Sequence, residues 1–177
     1  MKQILLHVCC APCSTHVIKE LKELEYEVIL FFYNPNIHPE EEYQKRLENA
    51  KIIAKELNLK LIEGPYDQEN WHKQTIELKN EPEGGKRCEI CFKIRLEKTA
   101  ETAKENQIQN FTTTLSVSPY KDFKIIEKVG KEIEDETNVK FINLNFKKQN
   151  GYRKSLELSK KHDLYRQHYC GCIYSQK

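Results

Sequence analysis

Short apolar runs alternate with longer amphipathic stretches along this chain. QILLHV (3–8) and EVILFFY (27–33) are almost unbroken apolar runs of strand length, the pattern of strands buried on both faces. LKLIEG (59–64), FTTTLSV (111–117) and VKFINLNF (139–146) are three further strand-like runs. The stretches between them have the helical period. THVIKELKEL (15–24) places Val17, Ile18, Leu21 and Leu24 on one face, and Pro12 just before it suits a first helical turn. A long helix is predicted over 38–57, with three glutamates in its first turn where the helix dipole favours acids. Asp67 can cap a short helix carrying Trp71. After a turn at Pro82 to Gly85, helices are predicted over 87–106, 121–136 and 151–164, and YRQHYCGCIYS (165–175) has no clear period.

Strands alternating with helices predict a parallel sheet with helices on both faces. Right-handed crossovers make it a doubly wound, three-layer α/β domain. Residues 1–177 are expected to form one domain, with an irregular cysteine-containing tail (163–177) packing near the active site. Ligands of such folds sit at the carboxyl ends of the strands, where the strand order reverses. Cys9 and Cys10 leave the first strand at that end.

Composition narrows the chemistry. Apolar residues make up 38% and charged residues 32% of 177, which reads as long solvated Lys/Glu-rich helices. No stretch approaches the roughly 18 apolar residues of a spanning helix, and the N-terminal apolar run is short for a secretory signal. A cytoplasmic protein is expected, where structural disulfides are rare. Seven cysteines then point to metal or thiol redox chemistry, and the odd number argues against a fully paired framework. The net charge of +2 is unevenly spread: residues 147–168 hold seven Lys/Arg against Glu157 and Asp163. Such a run is ordinarily a solvated helix face.

The thiols form three groups: C-C-x-x-C (Cys9, Cys10, Cys13), C-x-x-C (Cys88, Cys91) and C-x-C (Cys170, Cys172). Cys88 and Cys91 face the same way on a helix, and Gly84-Gly85 before them either turns the chain or admits something bulky. Cys10/Cys13 with Cys88/Cys91 would complete a structural zinc site. A [4Fe–4S] cluster also takes four thiolates, and the spacing here matches neither ferredoxin run. Seven thiols exceed one four-thiolate site, which favours two functions, and the spacing favours an iron–sulfur cluster over zinc. Cys170-Gly171-Cys172 could close only a strained, easily reduced ring, or it could ligate metal. His38, in a loop set by two prolines, either lines the site or enters a helix. TLSVSPYKD offers hydroxyls after the fourth strand, with Pro119 and Tyr120 shaping a turn. His7 and His16 read as packed structural residues, and Trp71 as core in preference to a base-stacking ring.

HVCCAPC, YNPNIHP with EYQKR, EGGKRCEICFKIRL, TTLSVSPYKD and NGYRKSLELSKKHDLYRQHYCGCIYS together resemble the epoxyqueuosine reductase family of the QueH type, over almost the whole chain. The resemblance implies an adenine-nucleotide-hydrolase-like (HUP-type) α/β sheet. It also implies reductive removal of the epoxide oxygen of epoxyqueuosine at the tRNA wobble position, giving queuosine by a cobalamin-independent route. It implies a [4Fe–4S] cluster on Cys9, Cys10, Cys88 and Cys91, with Cys170 and Cys172 as a redox-active pair. Cys13 would serve catalysis as ligand of an additional mononuclear iron (or zinc as isolated). The partners would be tRNA carrying the modified base and a separate electron donor, with no membrane. The basic stretch then reads as a contact to the tRNA backbone. His38, Arg153, Tyr165 and Arg166 become candidate substrate or tRNA contacts, and Tyr152, Tyr165 and Tyr169 candidate stacking rings. Two rival readings are a zinc-stabilised nucleic-acid or nucleotide-binding module without redox activity, and a thiol oxidoreductase acting on proteins.

Overall fold

A computed structural model describes residues 1–176. Five parallel strands form one sheet: β1 (Lys2–His7), β2 (Tyr26–Phe32), β3 (Leu61–Glu63), β4 (Asn110–Thr113) and β5 (Lys140–Phe141), in the order β3-β2-β1-β4-β5. Among the described residues five helices connect them, α1 (Ala11–Glu23), α2 (Glu40–Glu56), α3 (Gln68–Thr75), α4 (Lys86–Glu105) and α5 (Phe123–Thr137), and a sixth, α6 (Gly151–Lys161), follows β5. This is the three-layer, doubly wound α/β architecture expected from the alternation. Among the described residues no helix is long and apolar enough to cross a membrane.

The strands are apolar throughout because each face meets a helical layer. Ile4, Leu6, Val28, Leu30 and Phe32 pack with Val17, Ile18 and Leu21 of α1 and Tyr43, Leu47 and Ile53 of α2. Their strand neighbours Leu5, Ile29 and Phe31, together with Phe111, pack on the other side with Phe92 and Leu96 of α4 and Ile126 and Val129 of α5. Each fully buried Leu, Ile or Phe contributes about 1.5–3 kcal/mol. Helix α6 returns to the first face and lies on α1. A side chain at Gly151 would overlap the Phe146 carbonyl and press on His16, so glycine permits that approach. Trp71 is fully buried, as a core residue.

Two strands end earlier than their apolar runs. In FTTTLSV the ladder stops at Thr113, whose hydroxyl accepts the Leu115 N–H at 3.1 Å and pulls Thr114–Val117 into a 3-10 turn. In VKFINLNF only Lys140 and Phe141 form strand; the Phe141 N–H goes to the Glu134 carboxylate at 3.0 Å. Asp67 caps α3 as expected, accepting the Asn70 N–H at 3.2 Å.

The strand order reverses between β1 and β4, which lie side by side with β2 and β5 outside them. The early turn after β4 and the exit from β1 therefore share one crest.

Candidate active site

Cys9 follows β1 at this crest. Its N–H donates to the Thr114 hydroxyl at 3.1 Å, and that hydroxyl donates to the Cys9 sulfur at 3.3 Å. The break in β4 thus delivers a hydrogen-bond donor to a thiol. Cys10 is the N-cap of α1, Pro12 lies in its first turn, and Cys13 follows in the same turn. The sulfurs of Cys9, Cys10 and Cys13 lie within 4.8 Å of one another, with Cys9 and Cys10 3.9 Å apart. Ligands at about 2.3 Å from one tetrahedral ion sit about 3.8 Å apart, close to the Cys9–Cys10 separation, so this group could hold a metal ion.

The three thiols share protons unequally. Hydrogen bonds from Cys10 and then Cys13, aided by Lys121 and the Thr114 hydroxyl, outweigh burial and hold Cys9 well below the ordinary thiol range. Donation to Cys10 and Cys9, with burial, pushes Cys13 well above it. For Cys10 the hydrogen bond from Cys13 is outweighed by Cys9 and burial, which bring it up to about 12. The N-terminus of α1 adds positive potential, with no acid in its first turn.

The second pair sits at another helix N-terminus. Arg87, buried, donates from Nη1 to the carbonyls of Leu78, Lys79 and Glu81 at 2.9, 3.1 and 2.6 Å, fixing the turn that launches α4. Cys88 and Cys91 follow within the first two turns, and the Gly84 N–H donates to the Cys88 sulfur at 3.2 Å. Cys91 is buried with Trp71, Phe92 and Cys172, and Cys9 and Cys88 pack against the same cluster. Burial raises Cys91.

The tail brings the third pair to the same place. Arg46 of α2, buried, donates from Nε to Glu42 at 2.6 Å, from Nη1 to the Cys170 carbonyl at 3.0 Å and from Nη2 to the Tyr169 carbonyl at 3.2 Å. The His38 N–H donates to the Gly171 carbonyl at 2.8 Å, and the Tyr169 hydroxyl donates to the His38 carbonyl. Gly171 has φ +105°, and a Cβ there would press on Ile37 and Arg46. Cys170 lines a cavity of about 770 Å³, whereas Cys172 is buried in the cluster with Cys91, which raises it to about 11. All seven cysteines are free thiols.

Cys9, Cys13, Arg95, Lys121, Arg166 and Cys170 are among the residues lining that cavity, and Glu83 is its one acid among the described residues. Arg95 lies within electrostatic reach of Cys91, Cys170, Cys9 and Cys88; burial opposes its charge and these sulfurs restore it. Lys121, half-buried, stands in the same relation to Cys170, Cys9 and Cys13.

The other expected site residues divide. Arg166 lines the cavity and donates to the Tyr152 hydroxyl at 3.4 Å, with Nη1 buried and unpaired. Tyr165 lies outside it, its hydroxyl on Glu42 at 2.9 Å and its ring under Lys45 at 3.8 Å. Arg153 is on the exposed face of α6, paired with Glu157 at 3.1 Å. His38 is part of the tail's docking loop and stands 5.5 Å from the Trp71 ring. His7 is a buried structural link, Nδ1 to the Thr113 hydroxyl at 2.9 Å and Nε2 to the Tyr33 carbonyl at 3.1 Å, and burial lowers it to about 4. His16 is buried beside Glu20. Sequence reasoning gives no role to Arg46, Arg95 or Lys121. For the two arginines the available signal is a charge on the apolar face of a helix.

Comparison with known proteins bears on this arrangement. The family model described as epoxyqueuosine reductase QueH matches residues 4–177. An epoxyqueuosine reductase QueH of Thermotoga maritima is 41% identical over 178 residues, covering 99% of this chain and 91% of that protein. One from Streptococcus pyogenes serotype M1 is 40% identical over 180 residues, covering 98% and 70%. Among solved structures, a protein of Methanocaldococcus jannaschii described as a predicted subunit of tRNA methyltransferase aligns with TM-score 0.62 at 17% identity, over 90% of this chain and 75% of that one. That likeness is one of fold. The match over nearly the full length, on the segments that build the thiol-lined crest, means that this chain belongs to the epoxyqueuosine reductase QueH family.

Proposed function

We propose that this chain reduces epoxyqueuosine to queuosine at the wobble position of tRNA, in the cytoplasm, using a [4Fe–4S] cluster held by Cys9, Cys10, Cys88 and Cys91. The observation that carries the reading is the meeting of three thiol groups from distant segments at the switch point of the sheet, beside a cationic cavity.

The residues fit such a centre. Two buried donors stand beside the thiols: the indole N–H of Trp71, which has the Cys91 sulfur within range, and Nη2 of Arg95, which has no acceptor. Thiolate and sulfide are the acceptors that such donors serve. Two helix N-termini, Arg95 and Lys121 supply the positive charge that several thiolates require. The close spacing of Cys9, Cys10 and Cys13 supports a second, mononuclear metal with Cys13 among its ligands. Cys9 belongs to both neighbourhoods.

When bound, the metal centre supplies one-electron steps and a Lewis acid for the epoxide oxygen. The overall step breaks both C–O bonds, forms an alkene and consumes two electrons and two protons, releasing water. The chain's own part is to hold the base and supply protons. Oxidation of Cys170 and Cys172 to a disulfide releases two electrons and two protons, which balances one turnover; a separate electron donor then restores the thiols. Arg166 and Tyr152 line the cavity and are suited to polar groups of the splayed nucleotide. Tyr120, 78% exposed at the cavity mouth, offers a stacking face. His38 and Tyr165 act by holding the tail loop and α2. Arg153, with Lys154 and Lys160 on exposed α6, meets the tRNA backbone.

The test is anaerobic reconstitution followed by conversion of epoxyqueuosine-containing tRNA with a strong reductant. A brown protein with about four irons per chain, or five with the second metal, should convert it. An iron-replete chain that leaves the base unchanged refutes the reading. A colourless chain that takes zinc alone supports the zinc-stabilised binding module instead.

A further inference from the structure

Three arginines are buried among the described residues, and one of them has an Nη donor without an acceptor. Arg46 has a carboxylate and two carbonyls, and Arg87 has three carbonyls. Arg95 is the most deeply buried of the three, at 1% exposure. Its Nε donates to the Cys91 carbonyl at 3.0 Å and its guanidinium lies 5.5 Å from the centre of the Phe92 ring. Nη2 has no acceptor, and no carboxylate among the described residues pairs with it. An isolated buried cation is strongly unfavourable. Arg95 lines one cavity with Cys9, which follows β1, and Cys170 of the tail. Its Nε is tied to Cys91 of α4, and Cys88 packs in the same cluster as Cys91. Sulfurs from three parts of the chain thus lie within its electrostatic reach.

We infer that Arg95 is a positioning residue for the metal–thiolate centre, a fixed positive charge that offsets its negative charge and raises its reduction potential. The inference rests on the cluster reading above and adds a named determinant of its redox behaviour. A four-thiolate iron–sulfur cluster becomes more negative on reduction. A buried cation that donates hydrogen bonds to its sulfurs therefore favours the reduced form. Arginine suits the position because it keeps its proton even when buried. Its anchor on the Cys91 carbonyl ties the charge to the helix that presents two of the thiols. Without metal the guanidinium keeps a buried donor with no acceptor, so Arg95 serves the assembled centre more than the bare fold.

The test compares wild type, Arg95→Gln and Arg95→Lys, reconstituted anaerobically to equal iron content and titrated with reductant while the cluster is followed by electron paramagnetic resonance. Arg95→Gln should shift the one-electron equilibrium at least tenfold toward the oxidised form, which is about 59 mV per tenfold. Arg95→Lys, which keeps the charge, should stay within about threefold of wild type. Wild-type potentials in Arg95→Gln at equal iron content overturn the inference. The same variants are melted without metal, where Arg95→Gln should be no less stable than wild type. A loss of stability without iron as large as the loss with iron shows the guanidinium serving the fold, and also overturns it. Wild-type protein that takes up no iron defeats the proposed function instead.

Discussion

Replacing Arg46 by alanine should release the cysteine tail while leaving the sheet standing. The side chain makes a charge-assisted bond to each of two tail carbonyls, Tyr169 and Cys170, and pairs with Glu42, itself mostly buried. Hydrogen bonds to charged groups contribute about 1.5–3 kcal/mol each, and breaking a buried pair from one side costs about 3–5 kcal/mol. Tyr165 still donates to Glu42, which softens the second figure. A loss of about 3 kcal/mol from the closed tail makes its open form roughly a hundredfold more populated. Cys172 reports that opening directly, because it is only 8% exposed and burial pushes its thiol up to about 11. Release lowers that value toward the ordinary 8.5, so the thiolate fraction at neutral pH rises as well. Thiol labelling of metal-free protein, read residue by residue, should show Cys172 reacting about a hundredfold faster or more, with its pH inflection moved down. Cys10, fully buried at the start of α1, is the internal control. Equal acceleration at Cys10 and Cys172 would place Arg46 in global stability. No acceleration at Cys172 would mean that the contacts with Cys91 and Trp71 suffice to hold the tail.

Gly171→Ala should act in the same direction: φ of +105° and the contact with Ile37 and Arg46 imply about 1–3 kcal/mol of strain, read by the same Cys172 labelling. Tyr120→Ala should leave the melting temperature unchanged, since the ring is 78% exposed, and weaken binding of an anticodon stem-loop by roughly 1–3 kcal/mol in a fluorescence titration. Arg153→Gln should weaken tRNA binding similarly for all sequences and reduce the slope of log K against log salt by about 0.7–0.9; an unchanged slope would remove α6 from the interface. Cys88→Ser should lower bound iron measured by absorbance, with little effect on far-ultraviolet circular dichroism because Cys88 is half-buried.

The layers of the fold were legible because burial on both faces leaves a plain mark, as in ILL of β1 and VILFF of β2. Strand ends were not, because apolar residues report burial and not ladder bonds. Ile142, Leu144 and Phe146 continue the apolar run of β5, yet they pack on the α1 side as irregular chain. Leu115 and Val117 are equally buried in a 3-10 turn. The cysteines could be found by type alone. Arg46 and Arg95 could not, because among twenty-nine basic residues on Lys/Glu-rich helices each looks solvated. Their helical phase says otherwise. Arg46 falls among the buried Tyr43, Leu47 and Ala50, and Arg95 among Cys91, Phe92, Leu96 and Thr99. A charge on a buried face requires a partner from elsewhere in the chain. For Arg46 that partner is a pair of carbonyls over 120 residues away, so EYQKR and YCGC form one device. For Arg95 the surrounding groups are sulfurs that HVCCAPC, CEIC and the tail supply together. The three motifs meet around one buried cation, a relation that exists only once the sheet has formed.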